Sequence, residues 1–282
     1  MAHVAIVGSV ALDEVLRVSG SLRVGGHGSA TRLGERIGGG AAGVAIPLAR
    51  LGHRASLVAP IGSDPAGDLL LEELRTAGVD TDPVLRVDGE STRSLILVDD
   101  GGERTILNLH RCAEPEPPRR LLSLGADCVY VRSRLPGLAP LLSRALSTAR
   151  VVAHVPPCGD GERPAHVLVG SESDLPREWL ERPFESGLAV AGARLEHVVV
   201  THGAAGASLS GRGGTRHVPA PRVTALDSTG AGDAFAAGLV HGLAGGLEVV
   251  RAVEIAAAWG AECARWRQSV LPAEAVPGLP TD

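Results

Sequence analysis

Short apolar runs that stop at glycine or a polar turn recur along this chain, with helical patterns between several of them. That alternation limits the fold more than any other feature. The runs are 3–7, 56–59, 128–131, 150–155, 167–169 and 198–201, and helical patterns occupy 40–51, 65–77, 138–148 and 188–193. Strand, helix, strand repeated in this way predicts an α/β fold with a mostly parallel sheet covered on both faces. Two segments depart from the pattern. Residues 15–37 and 84–109 alternate and carry Gly25-Gly26, Asp88-Gly89 and Gly101-Gly102 turns, so they read as hairpins standing off the main sheet.

Length and composition fit one enzyme-sized unit. With 282 residues, 44% of them hydrophobic, the chain can fill a sizeable core, and residues 1–282 read as a single domain. No run reaches the roughly 18 apolar residues of a membrane span, and the first residues read as a strand and turn rather than a leader. Cys112, Cys128, Cys158 and Cys263 form no C-x-x-C pair, which predicts reduced thiols in a cytoplasmic protein. A net charge of -5 without a basic run argues against a nucleic-acid partner. All 27 basic residues are arginine. The absence of lysine excludes a P-loop lysine and any Schiff-base mechanism. A phosphoryl group here would have to be handled by backbone N–H groups, arginine and Mg2+.

The run Asp227-Ser228-Thr229-Gly230-Ala231-Gly232-Asp233 carries the most chemistry. Two glycines one residue apart leave N–H groups uncovered, and the alanine-rich segment that follows is helical in character. The glycines therefore open a helix, with unpaired N–H groups and the positive end of the dipole facing a ligand. Asp233, in the first turn, is either a partner of that dipole or a base for a hydroxyl attacking a phosphate held there.

The stretch from Asp227 to Leu239, with its G-A-G-D, resembles the C-terminal signature of the ribokinase-like (PfkB) carbohydrate and nucleoside kinases. The resemblance implies a three-layer α/β/α fold with a small β lid built from 15–37 and 84–109. It also implies ATP-dependent phosphorylation of a hydroxyl on a sugar, sugar derivative or nucleoside. Gly230, Ala231 and Gly232 would form the anion hole and Asp233 would be the general base. Gly8-Ser9-Val10-Ala11-Leu12-Asp13 resembles the family's G-x-x-x-x-D, which makes Asp13 a ligand for substrate hydroxyls. Gly38 to Gly43 resembles G-G-x-x-x-N, placing substrate against Gly39 and Gly40, with Gly43 where the family has asparagine. Gly62-Ser63-Asp64-Pro65-Ala66-Gly67 matches a further landmark that reads as a structural turn.

On the nucleotide side, Thr201, Gly203 and Gly206 match T-x-G-x-x-G, with Asp227 and Ser228 completing the implied ATP site. Ser171 and Asp174 stand where the family's N-x-x-E organises Mg2+, with Glu172 as the competing metal residue. ATP and Mg2+ are the implied cofactors, and a monovalent cation such as K+ is compatible with them. Paired lids imply a homodimer. The departures at Gly43 and at Ser171/Asp174 keep open a catalytically weak, sugar- or nucleotide-binding regulatory relative.

In an open α/β sheet, ligands bind beyond the carboxyl ends of the strands. Arg132 and Arg134 follow one such strand, His154 ends another, and His110 and Arg111 follow a lid strand. These cations would bind a carboxylate or phosphate on the acceptor. Alternatively they are solvated, or pair with Asp127, Asp160 or Glu162.

Overall fold

The computed structural model describes residues 1–20, 22, 25–100, 104–155 and 161–282. The predicted Gly101-Gly102 turn, Cys158 and Asp160 lie outside the described residues. The N-terminal part runs β1 (His3–Gly8), β2 (Ala11–Val18), β3 (Ala30–Gly38), α1 (Ala42–Arg50), β4 (Arg54–Val58), β5 (Pro60–Gly62) and α2 (Pro65–Thr76). Then come β6 (Leu85–Val87), β7 (Arg93–Val98), β8 (Arg104–His110), β9 (Cys128–Arg132), α3 (Ala139–Ala145), β10 (Arg150–His154) and β11 (Val167–Ser171). The remainder is α4 (Arg177–Glu181), α5 (Pro183–Ala191), β12 (His197–Thr201), β13 (Ala207–Gly211), β14 (Gly214–Val218), α6 (Ala231–Ala244) and α7 (Val249–Cys263).

Among the described residues the main sheet has eight strands in the order β14-β13-β12-β11-β10-β9-β1-β4. Strands β4, β1, β9, β10, β11 and β12 pair in parallel, and only the β12–β13 and β13–β14 pairings are antiparallel. Period-two alternation divides the core between the two faces. Val4 and Ile6 of β1, with Cys128 and Tyr130 of β9, pack under α1, α2, α6 and α7. Ala5, Val7, Val129 and Val131 face α3 and α5 on the other side. The fully buried strands are therefore apolar at nearly every position, which is why they stood out as short runs.

The second sheet, β3-β2-β7-β8, stands off the first. Strands β2 and β3 form one antiparallel hairpin and β7 and β8 another, joined by a parallel β2–β7 pairing. Here the sequence expectation for 84–109 needs correction. Its first part, β6, pairs in parallel with β5 and does not belong to this sheet, so the standing hairpin begins only at Arg93. The Asp88-Gly89 turn leads out of β6, and it misled because a Gly turn between apolar runs looks the same whichever sheet the runs join. The helix expected at 188–193 is α5, which starts at Pro183, where the missing N–H is no loss, and ends at Gly192 with φ +78°. Gly62 to Gly67 is a structural turn: Asp64 caps α2 by accepting from Gly67 N at 2.8 Å.

Helix α6 carries the glycine-rich motif, and its packing on α7 sets where that motif lies. The two helices approach through small residues. A Cβ on Gly238 would stand 2.9 Å from Ala256 Cα and 3.0 Å from the buried Trp259 ring. By intrinsic propensity, Gly238→Ala should gain about 1 kcal/mol. Overpacking here costs roughly 1–3 kcal/mol, so packing outweighs propensity. Thermal melting should show a lower midpoint for Gly238→Ala, and a higher one would mean that the helix contact is looser than described.

Candidate active site

Five parallel strands stop on one edge of the main sheet, at Gly8, Arg132, His154, Ser171 and Thr201, and all five residues line one cavity of about 1410 Å³. The second sheet forms a further wall, through Asp13, Ser94, Ile96, Arg104, Ile106 and Asn108. The start of α6 closes the cavity between them.

That start is held in an uncommon backbone geometry. Gly230 precedes the helix with φ +79°, and the carbonyl of Ser269 lies where a Cβ would be. Only glycine fits there. Asp227 braces the loop, accepting from Thr229 N at 2.8 Å, while Ala231 N reaches Ser228 O at 3.3 Å. Among the described residues the N–H groups of Gly230, Gly232 and Asp233 have no acceptor. The buried hydroxyls of Thr229 and Ser269 also lack partners, and both line the cavity. The loop thus presents unmet donors beside a positive helix end, the arrangement that holds a phosphate.

Asp233 lines the cavity from the first turn of α6. Its Oδ1 is ion-paired with Nη1 of Arg132. None of the partners expected for Arg132 (Asp127, Asp160 or Glu162) is the one it takes among the described residues. Gly43 also departs from expectation. It is absent from the cavity wall and lies behind Asp233, where a Cβ would be 2.7 Å from Asp233 Cβ. Helix α1 crosses α6 so closely at this point that the position leaves no room for a side chain. Gly39 and Gly40 do line the cavity. Gly39, at φ +92°, would put a Cβ 2.5 Å from Ser9 O, and the side chain of Arg132 lies across Gly40.

Asp13 is buried in β2, opposite Arg36 and Ser94 in register. Burial pushes its carboxyl up from 3.8 to about 6, against a hydrogen bond from Ser94 and the charge of Arg36. Nearby His154 goes the other way, pushed down to about 4 by burial and by Arg132, so it is neutral at pH 7.

On the nucleotide side, Thr201, Gly203, Gly206 and Ser228 line the cavity, whereas Asp227 lies behind the loop, 3.5 Å from Arg36 Nη2. Ser171 and Asp174 line it as well. Glu172 does not: it turns away to His202 at 2.7 Å, and His202 continues to Ser208 at 3.0 Å. Strand alternation accounts for the difference, because the residue after Ser171 leaves on the other side. Of the remaining cations, Arg111 and Arg134 line the cavity and His110 does not. Arg104 was missed in the sequence. It reaches from β8 to donate to Ser228 Oγ, which ties the second sheet to the glycine loop. In a chain whose basic residues are all arginine, no sequence signal singles it out.

The model of the pfkB family carbohydrate kinases matches residues 1–136 and 163–275. The chain belongs to this family. It is an ATP-dependent kinase of small sugars or nucleosides, with the ribokinase-like α/β fold. An ATP-dependent ribose-1-phosphate kinase of Halopiger xanaduensis is 33% identical over 273 residues, covering 93% of this chain and 91% of the relative. A fructokinase of Klebsiella pneumoniae is 31% identical, covering 76% of this chain and 78% of its own. Among solved structures, the ribokinase of Thermotoga maritima superposes with a TM-score of 0.81 at 22% identity, covering 99% of both chains. The Cryptococcus neoformans ribokinase in complex with ADP gives 0.77 at 23% identity, again over 99% of both. Among the described residues no helix is long and apolar enough to cross a membrane.

The raised pKa of Asp13 has a stability consequence. Between about 4 and 6 the folded chain binds a proton that the unfolded chain has lost, so stability falls as pH rises through that window and stays reduced above it. The carboxylate therefore destabilises the fold by up to about 3 kcal/mol at neutral pH. Asp13→Asn should melt higher than the parent at pH 8 and level with it at pH 4. A lower midpoint at pH 8 would show that Asp13 is stabilised where it sits.

Proposed function

We propose that this kinase moves the γ-phosphoryl group of ATP onto a hydroxyl of a small sugar that already carries an anionic group, a sugar phosphate being the favoured class. One observation supports this most: unmet N–H groups, the Asp233 carboxylate and five arginines, Arg111, Arg132 and Arg134 among them, line a single cavity. Arg111 and Arg134 have no acidic partner among the described residues, so they are available to an anion. The Halopiger relative is named for a sugar phosphate acceptor, which favours the same reading.

Asp13 accepts from hydroxyls of the acceptor, which lies against the backbone of Gly39 and Gly40. Asp233 takes the proton of the attacking hydroxyl as its oxygen bonds to the γ-phosphorus. The bond to ADP breaks on the side of Thr201, Gly203 and Gly206. Charge on the transferring group is held by the N–H groups of Gly230, Gly232 and Asp233, that of Ala231 being taken by Ser228 O. Little covalent help is needed, so position and charge do most of the work.

Mg2+ fits the site in a particular way. Among the described residues no three His, Cys, Asp or Glu side chains converge as a metal cage. Asp174 and Ser171 on the wall suit a cation that keeps most of its water and binds phosphate oxygens. Held there, Mg2+ would supply positive charge to neutralise the phosphates. Glu172, engaged by His202, is left out of that role.

A general base contributes about 10²–10⁴-fold. Asp233→Asn should therefore lose at least about 10²-fold in kcat, while ATP affinity measured by calorimetry stays near that of the parent. Near-normal turnover would remove Asp233 from the role.

We also assign a homodimer and a cytoplasmic location. Ser94, Ile96, Ile106 and Asn108 of the second sheet face the cavity, so Leu95, Leu97, Leu107 and Leu109 face away from it. Leu107 and Leu109 are exposed, and β3 and β8 are open edges, a surface suited to a second copy. Cys112, Cys128 and Cys263 are free thiols, as a reducing compartment keeps them. Light scattering at micromolar concentration should give twice the 28.8 kDa chain mass. A single-chain mass would reject the pairing.

A further inference from the structure

The ion pair between Arg132 and Asp233 conflicts with the work proposed for each. A carboxylate beside a guanidinium has its pKa lowered by roughly 1–3 units, which weakens it as a base. A guanidinium spent on a carboxylate is equally unavailable to an acceptor anion. The surroundings show how both demands can be met in turn. Asp233 Oδ1 is buried, and among the described residues Arg132 is its ion-pair partner. Behind the carboxylate, Gly43 packs against Asp233, where a Cβ would be 3.1 Å from Oδ2. Of the two side chains Arg132 is the longer and the more exposed, so it is the one to move.

Arg132 is free to do so. Its side chain is 37% exposed to the cavity, and it donates no hydrogen bond to any described residue. It passes over Gly40, whose missing side chain leaves the path open: a Cβ there would be 2.4 Å from Arg132 Cδ. Its neighbour His154 is neutral at pH 7 and adds no competing charge. Arg134 and Arg111 line the same cavity and would attract an anion to it.

We propose that Arg132 is a latch on the base: it covers Asp233 while the acceptor site is empty and is drawn off by the anionic group of the acceptor. This rests on the anionic-acceptor reading above and adds a consequence to it. With the latch closed, Asp233 is a poor base for water, so ATP is spared. With the latch lost, water becomes a usable acceptor. Its oxygen bonds to the γ-phosphorus, the bond to ADP breaks, Asp233 takes the proton and passes it to solvent, and the products are ADP and inorganic phosphate. Arg132 acts on the base through Asp233, as a positioning residue, and on the acceptor as a binding residue.

The test measures ADP release from ATP and Mg2+ without acceptor, with ribose and with ribose 1-phosphate, in the parent enzyme and in Arg132→Gln. In the variant, acceptor-free release and ribose turnover should rise about fivefold or more as the base recovers its strength. For the sugar phosphate, kcat/KM should fall at least about tenfold with the loss of a charge-assisted contact. Removing a cation raises a carboxyl pKa, so the acid limb of the pH profile should move up by about one unit. Arg132→Lys, which keeps the charge, should return acceptor-free release towards that of the parent. If acceptor-free release and ribose turnover in Arg132→Gln stay at or below the parent values, the latch is overturned while the anion site stands. If the parent releases no ADP with any anionic sugar but does so with ribose, the anionic-acceptor reading falls and the latch with it. Should Arg132→Gln not fold, inorganic sulfate on the parent enzyme takes its place, being an anion that cannot accept a phosphoryl group. It should raise acceptor-free release at least about twofold by competing for Arg132, and no rise would overturn the latch.

Discussion

Three N–H groups at the start of α6, those of Gly230, Gly232 and Asp233, have no acceptor among the described residues, and much of the molecule serves to keep them so. Each unmet donor costs stability when it is buried, roughly 1–3 kcal/mol. The loop tolerates this because its shape is over-determined. Asp227 fixes Thr229, Gly230 takes the left-handed conformation that the Ser269 carbonyl enforces, and α7 clamps α6 through Gly238 and Gly242. An oxyanion site works when its donors are in place before the charge arrives, and this loop has little freedom to rearrange.

The same preference for function over stability appears at Asp13 and Asp233. Asp13 is a carboxylate buried against its own titration, pushed up to about 6 in a wall of the cavity. Asp233 is an acid whose ion-pair partner among the described residues is a partly exposed arginine. Glycines make both arrangements sterically feasible. Gly38 lies against the Asp13 carboxylate, Gly40 under Arg132, and Gly43 behind Asp233, so one short segment before and within α1 shapes the surroundings of both acids. The second sheet is tied into this arrangement by Arg36 at Asp227 and Arg104 at Ser228. A movement of that sheet is therefore felt by the glycine loop before α6.

The main sheet was legible in the sequence because parallel strands buried on both faces must be apolar along their middle, and β1, β9, β10 and β12 are. The hairpins were harder. Residues 84–109 alternate along their length, yet β6 joins β5 and only β7 and β8 join the second sheet, a choice made by tertiary contacts that alternation does not record. Among site residues, Gly230 to Asp233, Asp13, Gly39 and Gly40 were readable because backbone approach and helix starts leave glycine and acid signatures. Gly43 and Glu172 were assigned to the cavity by motif position, and each lies just outside it, one behind α6's first turn and the other past the end of β11. The pairing of Arg132 with Asp233 had no local signal at all. It joins the ends of β9 and the start of α6, about a hundred residues apart in the chain, and arginine is too common here for any one of them to stand out.

The central claim is that phosphoryl transfer takes place at the first turn of α6. A crystal structure with ADP, Mg2+, a sugar phosphate and a metal-fluoride mimic of the transferring group tests it directly. The fluoride ligands should lie about 3 Å from the N–H groups of Gly230, Gly232 and Asp233, with an acceptor hydroxyl on Asp233 and the guanidinium of Arg132 on the acceptor's phosphate. A mimic bound away from this turn, with the acceptor hydroxyl on some other carboxylate, would contradict the account.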